Sequence, residues 1–411
     1  MKQRKNILIV LLLVCMSLLP SVSCAEGLSG TVTGITANDA VMTNIQPVLS
    51  DLLAANPDLK VDFQRSTVED LDSKINLAHA SGQDYDYITV NNSSVAQLVA
   101  AGALEPLDPY LEAAGIDLSE NYSESLLEVG MVDGKLYAIP QDPDCRVLIY
   151  NKKLLDEAGF DPPKTQEDIL TISKALCGDG VYAFARQFSS LGTVYNEGSF
   201  IVANGASICR EENGTIVGSC NTPEMIKSVQ FWVDMLPYLP QDMNYNDDQV
   251  VAMFAEGKLL FNIFGPWHMN TPDSPMNDLV YGEDYGLVTV PGDVPNSSIA
   301  GGFWVGIGSG SKNKEAAWAV IEELLIPENI CKMNFSLPGD NRCYDLPPYN
   351  ADIYQTFKLA FTGAQPPMPY STNFNKICDI FYDYFNRVMV GGEDIVEMMT
   401  LCDEEINALF Q

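Results

Sequence analysis

Between Tyr137 and Thr165 the chain reads YAIPQDPDCRVLIYNKKLLDEAGFDPPKT. The apolar run Val147-Leu148-Ile149-Tyr150 predicts a strand, and it passes directly into an amphipathic helical turn from Asn151-Lys152-Lys153. Ala158-Gly159 stops that helix, and Pro162-Pro163 followed by Lys164-Thr165 sets the re-entry of the chain. A strand, a helix and a proline-fixed re-entry in so short a span leave room only for a tight α/β connection.

The flanking sequence repeats that alternation. Gly30–Thr36, Leu59–Arg65 and Tyr85–Val90 read as strands, separated by helical patterns over Met42–Ala55, Val68–Ala80 and Ser94–Ala101. Strands and helices alternating at this spacing predict a mainly parallel sheet flanked by helices. Loops at the C-terminal ends of such strands face the ligand crevice, which places Asn38, Asp39, Asn91 and Asn92 there. The same residues serve equally well as helix caps.

A second α/β unit follows Thr165, which opens a helix through Thr165-Gln166-Glu167-Asp168. A hairpin is expected around Glu212-Asn213-Gly214, a helix from Thr222-Pro223-Glu224, and another over Asp247–Glu256. Leu259–Phe264, Gly286–Pro291 and Gly301–Gly308 read as strands, the second of them crossing back to the first unit. A helix over Ala316–Leu325 ends before Pro327, and the remainder is helical with an interruption at Pro366-Pro367.

At 411 residues the chain exceeds a single compact core, so two or three domain-sized units are expected. Its start reads as an export signal: Lys2, Arg4 and Lys5 precede an apolar run over Ile7–Leu19 that is too short to span a membrane stably. Cleavage before Cys24 would leave a lipidated cysteine, although Ser21 stands where such signals usually carry Leu; cleavage after Ala25 fits the small-residue rule. Removing residues 1–23 takes away three basic residues and no acid, moving the formal charge from −32 to −35. Nucleic acid and anionic membrane faces need a cationic footprint and are excluded as partners.

Eight cysteines remain after Cys15 and Cys24: Cys145, Cys177, Cys209, Cys220, Cys331, Cys343, Cys378 and Cys402. An even number in an exported chain predicts disulfides, with buried free thiols as the alternative. Cys209 and Cys220 flank the hairpin turn, Cys331 and Cys343 form the next most local pair, and elimination leaves Cys378 with Cys402 and Cys145 with Cys177. No Cys-x-x-Cys occurs, and His79 and His268 have no partner at ligand spacing, so no metal or other cofactor is expected.

The 137–165 stretch resembles the lobe crossing of the family 1 extracellular solute-binding proteins of ABC importers, the maltose-binding-protein-like group. Three further segments match the same family in order: AGALEPLDPYL (101–111), MFAEGKLLFNIFGPW (253–267) and GGFWVGIGSGSKNKEAAWAVIEELLIPE (301–328). The departures are Gln166, where the family usually has Trp, and the eight cysteines. The resemblance implies an α/β, two-lobed periplasmic-binding-protein-like fold. Its lobes would be 28–141 plus 286–326 and 146–282 plus 331–411, joined by crossings at 142–145, 283–285 and 327–330. It also implies a monomer that closes on a small solute, docks on importer membrane subunits, and is exported to the outer face of the cell membrane with a lipid anchor at Cys24, or else released as a soluble protein.

A sugar presents an apolar face and a rim of hydroxyls, and asks for aromatic platforms beside Asp, Asn, Glu or Arg contacts. Trp267 in its Gly-Pro turn and Trp304 in a Gly-flanked strand are the expected platforms, with core packing as the alternative for each. Asp144 and Arg146, at the crossing, either reach the ligand or pair with each other; Phe303, Asn341 and Tyr344 complete the candidates. Two isolated histidines and no carboxylate motif argue against catalysis. A polyamine or other cationic solute in the same fold, and a secreted glycoside hydrolase, stay open as alternatives.

Overall fold

The computed structural model describes residues 27–242, 245–270, 273–333 and 336–411. The export signal and Cys24 lie outside the described residues. The first unit is built on strands β1 (Gly30–Thr36), β2 (Leu59–Arg65) and β3 (Tyr87–Asn91). β1 pairs in parallel with both β2 and β3, as the strand–helix alternation requires. Side chains alternate between two faces. Val32 and Tyr87 join a core with Ile45, Val305 and Trp318, whereas Ile35, Ile88 and Val90 join another with Leu71, Leu98 and Trp304. Each such side chain, fully buried, contributes roughly 1.5–3 kcal/mol of transfer free energy.

A small antiparallel pair, β4 (Met131–Val132) and β5 (Lys135–Leu136), precedes β6 (Ile139–Cys145). Only Arg146 separates β6 from β7 (Val147–Asn151). β6 belongs to the large sheet through β12 (Ser297–Ile307), while β7 is the centre of a second, three-stranded sheet between β10 (Phe261–Phe264) and β11 (Tyr285–Val288). The chain therefore changes lobe at Arg146. Beyond it, Leu148 and Tyr150 face a core with Phe184, Phe200, Trp232 and Phe381, and Val147 and Ile149 face one with Phe254, Phe264, Tyr285 and Phe357.

Three expectations need correction. The second sheet is antiparallel throughout, because β10 and β11 both flank β7 in the reverse sense. In the large sheet, β12 runs antiparallel to β3 and β6 and parallel to the short β13 (Gly363–Gln365). The strand expected to cross back at 286 stays with β7, so the chain regains the large sheet only at Ser297. The helix expected over Met42–Ala55 starts at Asp39, and breaks into Asp39–Val48 and Ser50–Ala55. Pro47 lies in the last turn of the first segment, where it lacks the N–H that would bond the Thr43 carbonyl.

The expected hairpin is formed by β8 (Cys209–Glu212) and β9 (Thr215–Gly218), with Asn213 and Gly214 both at positive φ in a two-residue turn. Its register sets Cys209 opposite Gly218, so Cys220 falls two residues past the ladder. None of the eight cysteines is disulfide-bonded in the structure. Cys145 and Cys177 lie in different cores, which removes the fourth expected pair, whereas Cys331 and Cys343 are in side-chain contact. Thr165 forms a full capping box with Asp168 ahead of the helix Gln166–Leu176. Gln166, at the family's usual Trp position, donates to Asn204 and to the Pro291 carbonyl, both at 3.1 Å. Among the described residues no helix is long and apolar enough to cross a membrane.

Candidate functional site

A cavity of about 270 Å³ opens between the two units where β6 passes into β7. The first unit lines it with Asn91, Asn92 and Ser93 after β3, and with Gly301, Gly302 and Phe303 of β12. The crossing supplies Asp144 and Arg146. The second unit adds Gln187, Leu191, Gly192, Tyr195, Asn196, Asp247 and Trp267. Of the residues singled out in the sequence, Asn91, Asn92, Asp144, Arg146, Trp267 and Phe303 are brought together here.

Arg146 stands at the centre. Its guanidinium pairs with Asp144 and lies over two rings, 4.8 Å from the Tyr195 centroid and 4.7 Å from that of Trp267. Its backbone is clamped by Ser298, whose hydroxyl accepts from the Arg146 N–H at 2.8 Å and donates to the Arg146 carbonyl at 2.6 Å. The buried Nε has no hydrogen-bond partner among the described residues. Burial pulls the guanidinium down to about 10, opposed by Tyr195, Asp247 and Tyr370, so it stays charged at neutral pH.

Trp267 is held rather than loose. Its indole lies over Gly265, where a Cβ would stand 1.8 Å from the ring, and its N–H donates to Asp247 at 3.3 Å. Asp247 also accepts from the Gln187 amide and bonds His268 Nε2 at 2.7 Å, while the His268 ring packs on Phe264 and Trp267. Burial pushes the Asp247 carboxyl up, but His268, Trp267 and Arg146 together outweigh it and leave the group below its ordinary value.

Beside the cavity the Asn92 amide donates to the Tyr370 hydroxyl, and Tyr195 bonds with both. Burial raises both phenols, so they act as neutral hydrogen-bonding groups.

The other sequence candidates lie elsewhere. Asn38 caps the helix Asp39–Val48 and donates to buried Asp142; Asp39 is exposed and pairs with Arg65 at 2.7 Å. Trp304 is fully buried, and its indole N–H donates to the Leu126 carbonyl at 3.1 Å. A register shift against β6 falls between Phe303 and Trp304, so regular alternation does not separate them: Trp304 is enclosed by the core, and Phe303 packs on that same core where it meets the cavity. Asn341 is exposed, and Tyr344 is buried in the core around Phe357. Two groups went unread in the sequence. Tyr195 and Asn196 sit in a π-helical turn, Thr193–Glu197, which has no 3.6-residue signature. Asp247 is the first residue of a helix, where an acid is ordinarily explained by the helix dipole.

Residues 39–329 match the model of the family described as bacterial extracellular solute-binding protein. The chain belongs to that family. A maltotriose-binding protein of Pyrococcus abyssi is 23% identical to this solute-binding protein over 286 residues, 67% of this chain and 58% of the relative's length. A diacetylchitobiose binding protein, DasA, of Streptomyces coelicolor is 23% identical over 358 residues, covering 84% of this chain and 81% of its own. Among solved structures, the GacH receptor of Streptomyces glaucescens superposes with a TM-score of 0.80 at 21% identity, covering 93% of this chain and 99% of that one. At that identity the likeness establishes the shared two-lobed fold.

Proposed function

We propose that this solute-binding protein captures a carbohydrate in the cleft between its lobes and delivers it to the membrane subunits of an ABC importer. The reading rests on one observation above all: a fixed indole, Trp267, beside a partly buried, charge-paired Arg146 in a polar cavity that joins both lobes. The indole offers apolar surface beside the guanidinium that lies over it, while Arg146, Asp144, Asn92 and Asn91 offer donors and acceptors to hydroxyls. The names of the relatives, which bind maltotriose and diacetylchitobiose, agree with that class. The cavity, near the lower edge of the roughly 300–1,000 Å³ usual for small-molecule sites, suits one or two sugar rings.

Closure follows from two-lobed contact, because a ligand touching both lobes binds the closed form better and shifts its population. The crossings we assign are β6 into β7, the return between β11 and β12, and the stretch after Pro327. The protein acts as a monomer, anchored at the outer face of the cell membrane through Cys24, without catalysis of its own. Asp144 and Asp247 are the cleft's carboxylates; the first is paired with Arg146, and the second lies below its ordinary value, which is unsuited to a general acid. A cationic solute meets the Arg146 charge at the centre of the cleft, which disfavours a polyamine.

A thermal-shift screen of maltose, maltotriose, diacetylchitobiose, galactose and spermidine tests the reading. A sugar that binds raises the Tm, by ligand linkage. A rise with spermidine and with none of the sugars overturns the substrate class, and release of cleaved sugar overturns the non-catalytic role. Mass spectrometry of the membrane-bound protein tests the lipid on Cys24.

A further inference from the structure

Away from the cleft, behind the β8–β9 hairpin, Cys209, Cys220 and Cys402 are buried in one core with no solvent exposure. Cys402 lies in the C-terminal helix Ile395–Ala408, and its thiol is in side-chain contact with that of Cys220. Hairpin register works against the nearer-in-sequence partner, since Cys209 faces Gly218 and Cys220 lies beyond the ladder, its thiol donating to the Ile208 carbonyl at 3.3 Å.

The backbone on both sides of the contact is pinned without help from sulfur. One carboxylate oxygen of Asp403 accepts from the Cys220 N–H at 2.6 Å, and the other from the Asn221 N–H at 2.9 Å. Asn407 accepts from the Gly218 N–H at 2.8 Å. Gly218 lies so close to the helix that a Cβ there would stand 2.8 Å from Asp403 Cα. Disulfides tolerate only a narrow range of backbone separations, and this pair of segments is locked at thiol contact.

We propose that Cys220 and Cys402 are joined by a disulfide in the exported protein, stapling the C-terminal helix to the hairpin. Each thiol gives up its proton and the pair gives up two electrons as the S–S bond forms. A disulfide-form thiol oxidant accepts both electrons and both protons, and its own S–S bond breaks to a dithiol. The family is extracellular, where such oxidants hold thiols as disulfides. Bond formation precedes closure of the core, because the finished fold leaves neither sulfur open to an oxidant. Burial keeps an outside thiolate from reaching the bond, and by raising the Cys220 thiol well above its ordinary value makes that sulfur a poor leaving group in later exchange. The bond is thus a permanent staple rather than a switch. It closes a very long loop, the case in which constraint of the unfolded chain is greatest in the loop-entropy account.

The test is peptide mapping of the full chain exported by a bacterial host, denatured in iodoacetamide without reductant and digested. The expected result is a linked peptide carrying Cys220 and Cys402, lighter by two hydrogens than its parts and lost on reduction. The Cys209→Ser variant retains that peptide, and in Cys402→Ser the Cys220 thiol becomes alkylated. Recovery of both cysteines as alkylated thiols from the unaltered protein overturns the proposal, and so does a peptide linking Cys209 to Cys220 or Cys378 to Cys402.

Discussion

The side-chain amide of Asn92 donates to the hydroxyl of Tyr370 beside the interlobe cavity. Asn92 follows β3 of the first lobe, whereas Tyr370 precedes the helix Phe374–Met389 of the second and packs against cores of both lobes. A bond between residues of the two lobes favours the arrangement in which they meet. A hydrogen bond contributes a net ~0.5–1.5 kcal/mol, so Tyr370→Phe lowers the closed population and weakens sugar binding by about twofold to tenfold. Calorimetry gives the affinity and small-angle scattering the size of the unliganded protein. An unchanged Kd together with an unchanged radius of gyration removes that preference.

Trp267→Ala removes the fixed platform. A buried aromatic anchor at the centre of a site is worth ~2 kcal/mol or more, so Kd for the bound sugar rises by about thirtyfold. Asp247→Asn keeps the size of the side chain but loses the charge that fixes Trp267 and His268, and weakens binding by less. Titration of both variants by tryptophan fluorescence or calorimetry orders the effects. Wild-type affinity in Trp267→Ala rules the platform out.

Gly301 sits where Asp144 and Arg146 meet: a Cβ there would stand 2.7 Å from Asp144 Oδ1 and 2.8 Å from Arg146 Nη1. Gly301→Ala therefore pushes the ion pair out of place in an otherwise intact strand. The expected result is a large loss of affinity with a Tm within a few degrees of wild type, measured by calorimetry and thermal melts. A loss of folding without a binding phenotype at lower temperature argues that the glycine serves β12 alone.

Asp142 supplies a pH dependence. It is buried on β6, accepts from the Asn38 amide and from the Ser336 N–H at 2.6 Å, and has Tyr349 nearby. Burial pushes its carboxyl up to about 7, against the pull of the Ser336, Asn38 and Leu337 donors. The folded chain then holds a proton that the unfolded chain releases near pH 4. Between about pH 4 and 7 the native state binds more protons, so this group's stabilisation falls as pH rises through that window and levels off above it. Thermal melts from pH 5 to 8 should show that slope in the wild type and not in Asp142→Asn. Parallel slopes in the two proteins would assign the dependence to another group.

Strand and helix periodicities made most of the first lobe legible, since β2 and the helix Val68–Ala80 fall on their expected residues. The antiparallel second sheet was not legible. The period of two along a buried strand says nothing about the direction of its neighbours, and β7, β10 and β11 come from distant parts of the chain. In the site, the candidates that line the cavity are those tied to the crossing or to strand ends, such as Arg146 and Asn92. Trp304 went to the core because β12 is buried along nearly its whole length, so flanking glycines alone do not mark a cleft-facing side chain. Tyr195 was missed because a π-helical turn presents its side chains out of step with any regular helix.

β12 spans more than its own lobe. Ser297, at its start, donates to the Val202 carbonyl of the second lobe at 3.1 Å, while Ile307, at its end, lies in the first lobe's core. Between them fall Gly301, Gly302 at φ 103° and a register shift at Phe303/Trp304 against β6. The strand is thus held in a different lobe at each end, and its glycines and register shift fall where it lines the cavity. A change in the angle between the lobes would have to twist this one strand beside the cavity, so a solute held against Gly301 and Gly302 would sit on the path of that movement.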